Sequence, residues 1–256
     1  MRTIITHRLG WRQRFSTTPL FKTVSYKHPF AHHGRFFSDS SRPLIYPDPI
    51  NSEHYDLASY AAYAARTGLD VKSKVYVGTQ YEYTVADSLR TLGFDLKRVG
   101  GRSDCGIDLL GTWRVPYYSV SDHSLRVIVQ CKASAKIGPH HIRELEGAFV
   151  GAPPGWRNGP GLLAFLVSQR PATKGVRDAM AGSSWPMGYA LCSQDGKLEQ
   201  ILWNGKAEQE ELEGIGVSVG FSDDTTGEVE KRLVLTWKGT PYSLGPASNE
   251  SVSAGL

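Results

Sequence analysis

The first 37 residues contain no aspartate or glutamate, the whole chain has only three cysteines, and no apolar run approaches the length of a membrane span. Each shortage excludes something. Cys105, Cys131 and Cys192 lie far apart and form no C-x-x-C pair, which removes both a disulfide framework and a cysteine zinc site. A transmembrane helix needs about 18 or more consecutive apolar residues, so a soluble chain with no membrane span is expected.

The acid-free segment is otherwise basic. Arg2, Arg8, Arg12, Arg14, Lys22, Lys27 and Arg35 lie among serines, threonines and aromatic residues, and the run stops abruptly at Asp39. This is the composition of a mitochondrial transit peptide over residues 1–37, and Arg35-Phe36-Phe37-Ser38 resembles a matrix-protease cleavage site. A basic arm that touches nucleic acid is the alternative. After residue 37 the chain has 22 Lys and Arg against 25 Asp and Glu, so the overall pI near 8.9 implies no nucleic-acid partner. The charge is unevenly spread, however. Arg66 to Arg143 holds 12 basic and 7 acidic residues, whereas Glu144 to Leu256 holds 9 and 14. A polyanion would be held on the first of these stretches.

What remains is enough for one domain with a full core. Pro43, Pro47 and Pro49 mark a linker, and Ser52 to Gly68 reads as a short helix with Ser52 as N-cap and Gly68 as its stop. Residues 38–73 are therefore linker and short helix, residues 74–241 the main domain, and residues 242–256 a disordered tail. From Gly78 a second helix presents Tyr81, Val85, Leu89 and Leu92 on one buried face and ends at Gly93, with Glu82 at the edge of that face. FDLKRV, IDLLG and LRVIVQCK follow as strands. In the last of these, Leu125, Val127, Val129 and Cys131 face one way and Ile128, Gln130 and Lys132 the other. Pro139 to Val150 reads as a helix, GLLAFLVS as a buried strand, ATKGVRDAMAG as a helix, and GYALC and LEQILW as strands. This order predicts an α/β fold with a central mixed β-sheet flanked by helices.

Chemistry concentrates between Gly100 and Lys132. Phosphodiester hydrolysis needs a divalent metal, oxygen ligands to hold it, and a cation near the attacking water. Asp108 is the candidate first ligand, in preference to Asp104 in the glycine turn, whose place suits an Asx cap. The backbone carbonyl of Cys131 is the second, Glu82 adds a negative ligand from the helix, Gln130 ligates or positions water, and Lys132 activates it. The metal would be Mg²⁺ or Mn²⁺. Each residue also has a plainer reading: Lys132 as an edge-strand gatekeeper, Gln130 as a solvated strand residue, and Glu82 as an exposed helix residue. If Asp108 and Glu82 converge with only Lys132 between them, their repulsion destabilises the metal-free protein. His140 and His141 follow a proline at a helix start and read as surface residues. Trp113, Arg114, Tyr117 and Tyr118 in the insertion from Thr112 to Ser124 either stack on unpaired bases or close a hairpin onto the core. Gln169 and Lys174 flank a turn within reach of DNA phosphates.

The set Gly78-x-x-x-Glu82, Gly106-Ile107-Asp108, Gln130-x-Lys132 and a following helix carrying ELEGAF resembles the catalytic domain of Mrr-type restriction endonucleases in the PD-(D/E)xK superfamily. GPGLLAFLVSQRPATKGVRDAMA looks similar to the same domain, so the resemblance runs from about Lys74 to Trp203. It implies a restriction-endonuclease-like core, metal-dependent hydrolysis and a nucleic-acid partner, DNA. It also allows a homodimer, since many nucleases of this fold cut two strands as dimers. Nothing in the chain resembles the separate DNA-recognition domain of the bacterial enzymes. Together with the basic N-terminus and the wording IDLLGTWRVP, the chain also resembles a fungal mitochondrial family required for respiratory growth.

Import with loss of roughly the first 37 residues is the expected outcome for the N-terminus. N-terminal sequencing of the mitochondrial form checks it: a chain starting near Ser38 supports the transit peptide, and one starting at Met1 rules it out.

Overall fold

A computed structural model describes residues 44–47, 53–100, 106–115, 124–157, 159–223 and 229–242, with side chains left aside for 222–230. Of the predicted tail at 242–256 only Tyr242 is described, its N–H bonded to the Leu235 carbonyl; the rest of it and the glycine turn at 101–105, with Arg102, Asp104 and Cys105, lie outside the described residues, as do Tyr117 and Tyr118.

Helix α1 spans Leu57–Thr67. Its N-cap is Asp56, not the expected Ser52: the Asp56 carboxylate accepts the Ser59 N–H and the Ser59 hydroxyl accepts the Asp56 N–H, a reciprocal capping box. Gly68 closes the helix at φ 65°, as expected for a left-handed C-cap. Helix α2, Lys74–Arg90, begins one turn earlier than predicted because Ser73 caps it. Its Tyr81, Val85 and Leu89 are buried, as the spacing predicts.

The central sheet has six strands in the order β1 (Phe94–Arg98), β2 (Leu109–Trp113), β3 (Leu125–Lys132), β4 (Leu162–Ser168), β5 (Met187–Cys192) and β6 (Leu198–Trp203). β1, β2 and β3 form an antiparallel meander, β3, β4 and β5 run parallel, and β6 returns antiparallel. Parallel neighbours need crossovers, which α3 (Pro139–Gly151) and α4 (Lys174–Ala181) provide. The fold is thus the predicted α/β mixed sheet flanked by helices.

The sheet divides two cores. On one face Val127, Val129 and Phe165 pack with Tyr81, Val85 and Leu89 of α2. On the other, Ile128, Ala164 and Leu166 pack with Ile142, Leu145 and Phe149 of α3 and Val176 of α4. β4 and β5 are buried along their whole length, which is why they read as continuous apolar runs. The proline-rich segment is more than a linker: Leu44 and Tyr46 pack on the α3 side, and the Ile45 carbonyl accepts the Trp156 indole N–H at 2.9 Å. Trp113 is fully buried, stacked on Phe94 at 4.4 Å, with its indole N–H bonded to the Leu92 carbonyl. It belongs to β2 and the core, and so cannot meet a base.

After β6 come a short helix, α5 (Gly205–Glu210), and a second sheet of β7 (Ile215–Asp223), β8 (Val229–Trp237) and β9 (Thr240–Pro241). The strand pattern read from the sequence ended at Trp203 and did not include this hairpin.

Two glycines give opposite expectations. A Cβ at Gly111 would sit 1.9 Å from the Asp95 carbonyl oxygen, whereas one at Gly147, mid-helix in α3, meets nothing within 4 Å. Gly111→Ala should destabilise the domain by about 3 kcal/mol or prevent folding, while Gly147→Ala should stabilise it by about 0.4–1 kcal/mol. Urea unfolding of both variants checks the pair.

Candidate active site

Asp108, Gln130 and Lys132 lie at one end of the sheet, where β2 begins and β3 ends. Asp108 stands immediately before β2. Its N–H donates to the Val129 carbonyl at 3.0 Å, and its own carbonyl accepts the N–H groups of Val99 and Gly100, both at 2.9 Å. Its carboxylate Oδ2 accepts the Cys131 N–H at 2.6 Å. Asp108 is therefore fixed to both neighbouring strands, and its side chain touches the backbone between Gln130 and Lys132. Because the pleat alternates, Val129 and Cys131 both direct their backbone groups towards β2, so the Cys131 carbonyl faces the Asp108 side.

Gln130 is 3% exposed, and its Oε1 is buried without a hydrogen-bond partner. A buried acceptor left unmatched costs about 1–3 kcal/mol. Two glycines make room here. Gly106, at φ 76°, leaves space where a Cβ would fall 2.6 Å from Gln130 Nε2, and a Cβ at Gly100 would fall 3.2 Å from Asp108 Oδ1. Beyond turning the chain, these glycines let it close over the two side chains.

Lys132 lies on the Gln130 side of β3, about one-quarter exposed, with its ammonium 3.2 Å from Glu144 of α3. Cys131 points the other way and packs on the α2 core. Burial pushes its thiol pKa up; the Asp108 and Glu82 carboxylates push it the same way, and Lys132 opposes them. All three charges thus act on one point of β3.

Glu82 looks inward from α2 as expected, but it is held by a cation. The Arg98 guanidinium lies 2.5 Å from its carboxylate, with the two side chains 17% and 14% exposed, and also reaches Thr79 Oγ1 at 3.4 Å and the face of Tyr83. This corrects the expectation that Lys132 alone stands between Asp108 and Glu82. Arg98 is the cation on Glu82, and Lys132 pairs with Glu144. Arg98 was not singled out in the sequence; its place at the end of FDLKR, sixteen residues from Glu82, carries no local signal.

Several remaining candidates fall away or move. His141 is buried, not a surface residue, and its Nδ1 accepts the Gly138 N–H at 3.1 Å, capping its own helix. Burial lowers its pKa, keeping it neutral in that role. His140 is exposed beside it, ring centroids 3.9 Å apart. Lys174 is exposed and bonded to Asp178 one turn on, a surface pair at 2.6 Å. Gln169 stays near the site: it follows Ser168, which is in register with Lys132, and its Nε2 is buried without a hydrogen-bond partner. Among the described residues, no three His, Cys, Asp or Glu side chains group as a metal site, and no helix is long and apolar enough to cross a membrane.

A model of the family described as Required for respiratory growth protein 7 matches residues 73–122 and 118–219 of this chain. An uncharacterized mitochondrial protein of Schizosaccharomyces pombe is 30% identical over 177 residues, covering 68% of this chain and 68% of that protein. The Saccharomyces cerevisiae protein named Required for respiratory growth protein 7, mitochondrial, is 30% identical over 131 residues, 35% of this chain and 53% of the relative. The protein of the same name from Vanderwaltozyma polyspora is 29% identical over 117 residues, 30% of this chain and 47% of the relative. The chain thus spans about half the length of these named relatives. No solved structure matches it.

The Asp108 bond makes a structural prediction. Asp108→Ala strands the Cys131 N–H and should cost about 1–3 kcal/mol. Asp108→Asn keeps an acceptor oxygen and should cost about 1 kcal/mol or less. Thermal melts of the two variants without divalent metal check this; equal losses would show that the carboxylate–backbone bond is not what Asp108 contributes.

Proposed function

We infer that this chain, which belongs to the Required for respiratory growth protein 7 family, is a mitochondrial protein that supports respiratory growth through a nuclease-like domain hydrolysing DNA phosphodiesters with Mg²⁺ or Mn²⁺. The relatives' names support the location and the respiratory role. One observation carries the chemistry: the Asp108 carboxylate is fixed on the backbone between Gln130, whose buried Oε1 has no hydrogen-bond partner, and Lys132.

The donors fit a hard divalent cation, which takes oxygen ligands. Asp108, Glu82 and the Cys131 carbonyl would hold it, Gln130 would offer its amide oxygen, and the metal would supply Lewis-acid stabilisation of phosphoryl charge. Each of the chain's own groups has a task. Lys132 orients the attacking water and offsets negative charge on the phosphoryl oxygens, and Glu144 holds the ammonium on that side of β3. Gln130 positions water without adding charge. Arg98 pairs with Glu82 and holds it at the α2 edge. The neighbouring amide of Gln169 offers its unmatched N–H to a phosphate oxygen.

A second reading has specific support. Gln130 stands where a second carboxylate is expected, and both Glu82 and Lys132 are engaged in ion pairs. These features suit a nuclease fold with lapsed catalysis that serves as a nucleic-acid-binding or interaction factor in mitochondrial gene maintenance or expression. The readings part on a nicking assay. The purified protein with Mg²⁺ or Mn²⁺ is expected to relax supercoiled DNA, and Lys132→Ala should reduce the rate by about 10²-fold or more. Absence of metal-dependent nicking in the parent, or its survival in the variant, defeats the hydrolase reading.

A further inference from the structure

The C-terminal hairpin has one face that is core at one end and bare at the other. Directly opposed residues of an antiparallel pair share a face. Ile215, Val217, Val219 and Phe221 of β7 therefore lie with Trp237, Leu235, Leu233 and Lys231 of β8. Ile215 and Leu235 are buried against the α2-side core, 4% and 3% exposed, whereas Val219 is 45% and Phe221 69% exposed. Where the hairpin parts from β6 it leaves a groove of about 410 Å³. Among the described residues, Lys197, Lys231 and Arg232 line that groove with one acid, Glu199, and with Leu198 and Leu233. No ion pair engages these three cations among the described residues.

An aromatic ring left in water directly across from Lys231 is poorly explained by stability. Arg232 lies across Gly220, where an added Cβ would meet a Val234 methyl first, at 2.7 Å. The groove also takes in Pro171, two residues beyond Gln169, so it opens at the sheet end where Ser168 is in register with Lys132. From β3 to β6 is three strand spacings, about 14 Å. A chain of phosphates leaving Lys132 across that end of the sheet reaches the groove.

We propose that the groove between β6 and the β7–β8 hairpin binds a single-stranded nucleic-acid segment, with phosphates on Lys197, Lys231 and Arg232 and a base stacked on Phe221, which stands outside the groove lining, directly across from Lys231. The combination of a π-face and a cationic track is what unpaired strands require; a duplex hides its base faces and has no use for Phe221. The inference rests on the nuclease reading for the chemistry that follows binding, but the affinity itself does not.

Fluorescence anisotropy of the full chain with labelled oligothymidylate, oligouridylate and a duplex of equal length tests it. Phe221→Ala should weaken single-strand binding at least about fivefold, with an unchanged salt slope. Lys231→Ala with Arg232→Ala should flatten the slope of log K against log salt by about 1.4. All three positions are exposed, so melting should not change and loss of fold cannot mimic the effect. Binding of either oligonucleotide that weakens in both variants supports the groove. Parental affinity in both variants, equal losses on the duplex, or competition by polyglutamate as effective as by oligothymidylate overturns it. A parent that fails to nick DNA but binds single strands through Phe221 loses only the hydrolase reading; Lys132-dependent nicking with Phe221→Ala binding like the parent loses only the groove.

Discussion

The bond from the Cys131 N–H to the Asp108 carboxylate settles how this end of the sheet is built. β2 and β3 pair as far as Leu109 with Val129, and beyond that β3 continues for three residues beside β4 alone. Its backbone groups on the vacated side need partners, because an unmet buried N–H is costly. The Asp108 side chain meets that need at 2.6 Å, standing in for a strand that has turned away. The bond brings a carboxylate, a buried amide and a lysine into one small volume, and Gly100 and Gly106 allow the chain to close over them.

Charge at this end is balanced in pairs. Arg98 stands on Glu82 and Glu144 stands beside Lys132, so each of these two side chains already has an opposite charge at hand. Such pairing holds long side chains in one geometry while leaving each able to exchange its partner for a ligand of the same sign. The Arg98–Glu82 pair is more than four-fifths buried, where its attraction is less screened than that of the exposed Lys174–Asp178 pair. The α2 edge is correspondingly firm.

The hairpin extends the same core by a different route. Leu212, Ile215 and Leu235 join the cluster beneath α2, which anchors one end of β7 and β8 and lets the other project. The cationic groove follows from that partial docking: a sheet fully seated on β6 would bury Phe221, and one fully detached would leave no groove.

Much of the fold was legible in the amino-acid sequence because local periodicity is a local property. The buried stripe of α2, the two-sided alternation of β3 and the unbroken apolar runs of β4 and β5 can each be read from a few neighbouring residues, and so can the Gly-Ile-Asp and Gln-x-Lys spacing of the site. Caps were less legible, since Asp56 and Ser52 are both good N-cap residues and only the reciprocal bond with Ser59 separates them. Hidden altogether were contacts whose partners lie far apart in the chain. Arg98 reaches Glu82 across a helix and a turn, Trp113 leaves its apparent loop to stack on Phe94, and the Gly-interrupted β7 and polar-faced β8 are sheet only through each other. Sequence by itself determined which elements form and which face of each is apolar, because those depend on side-chain order along one strand or helix. Tertiary structure alone decided which charges meet and which aromatic ring stays in water, because those depend on the distances that packing imposes between separate elements.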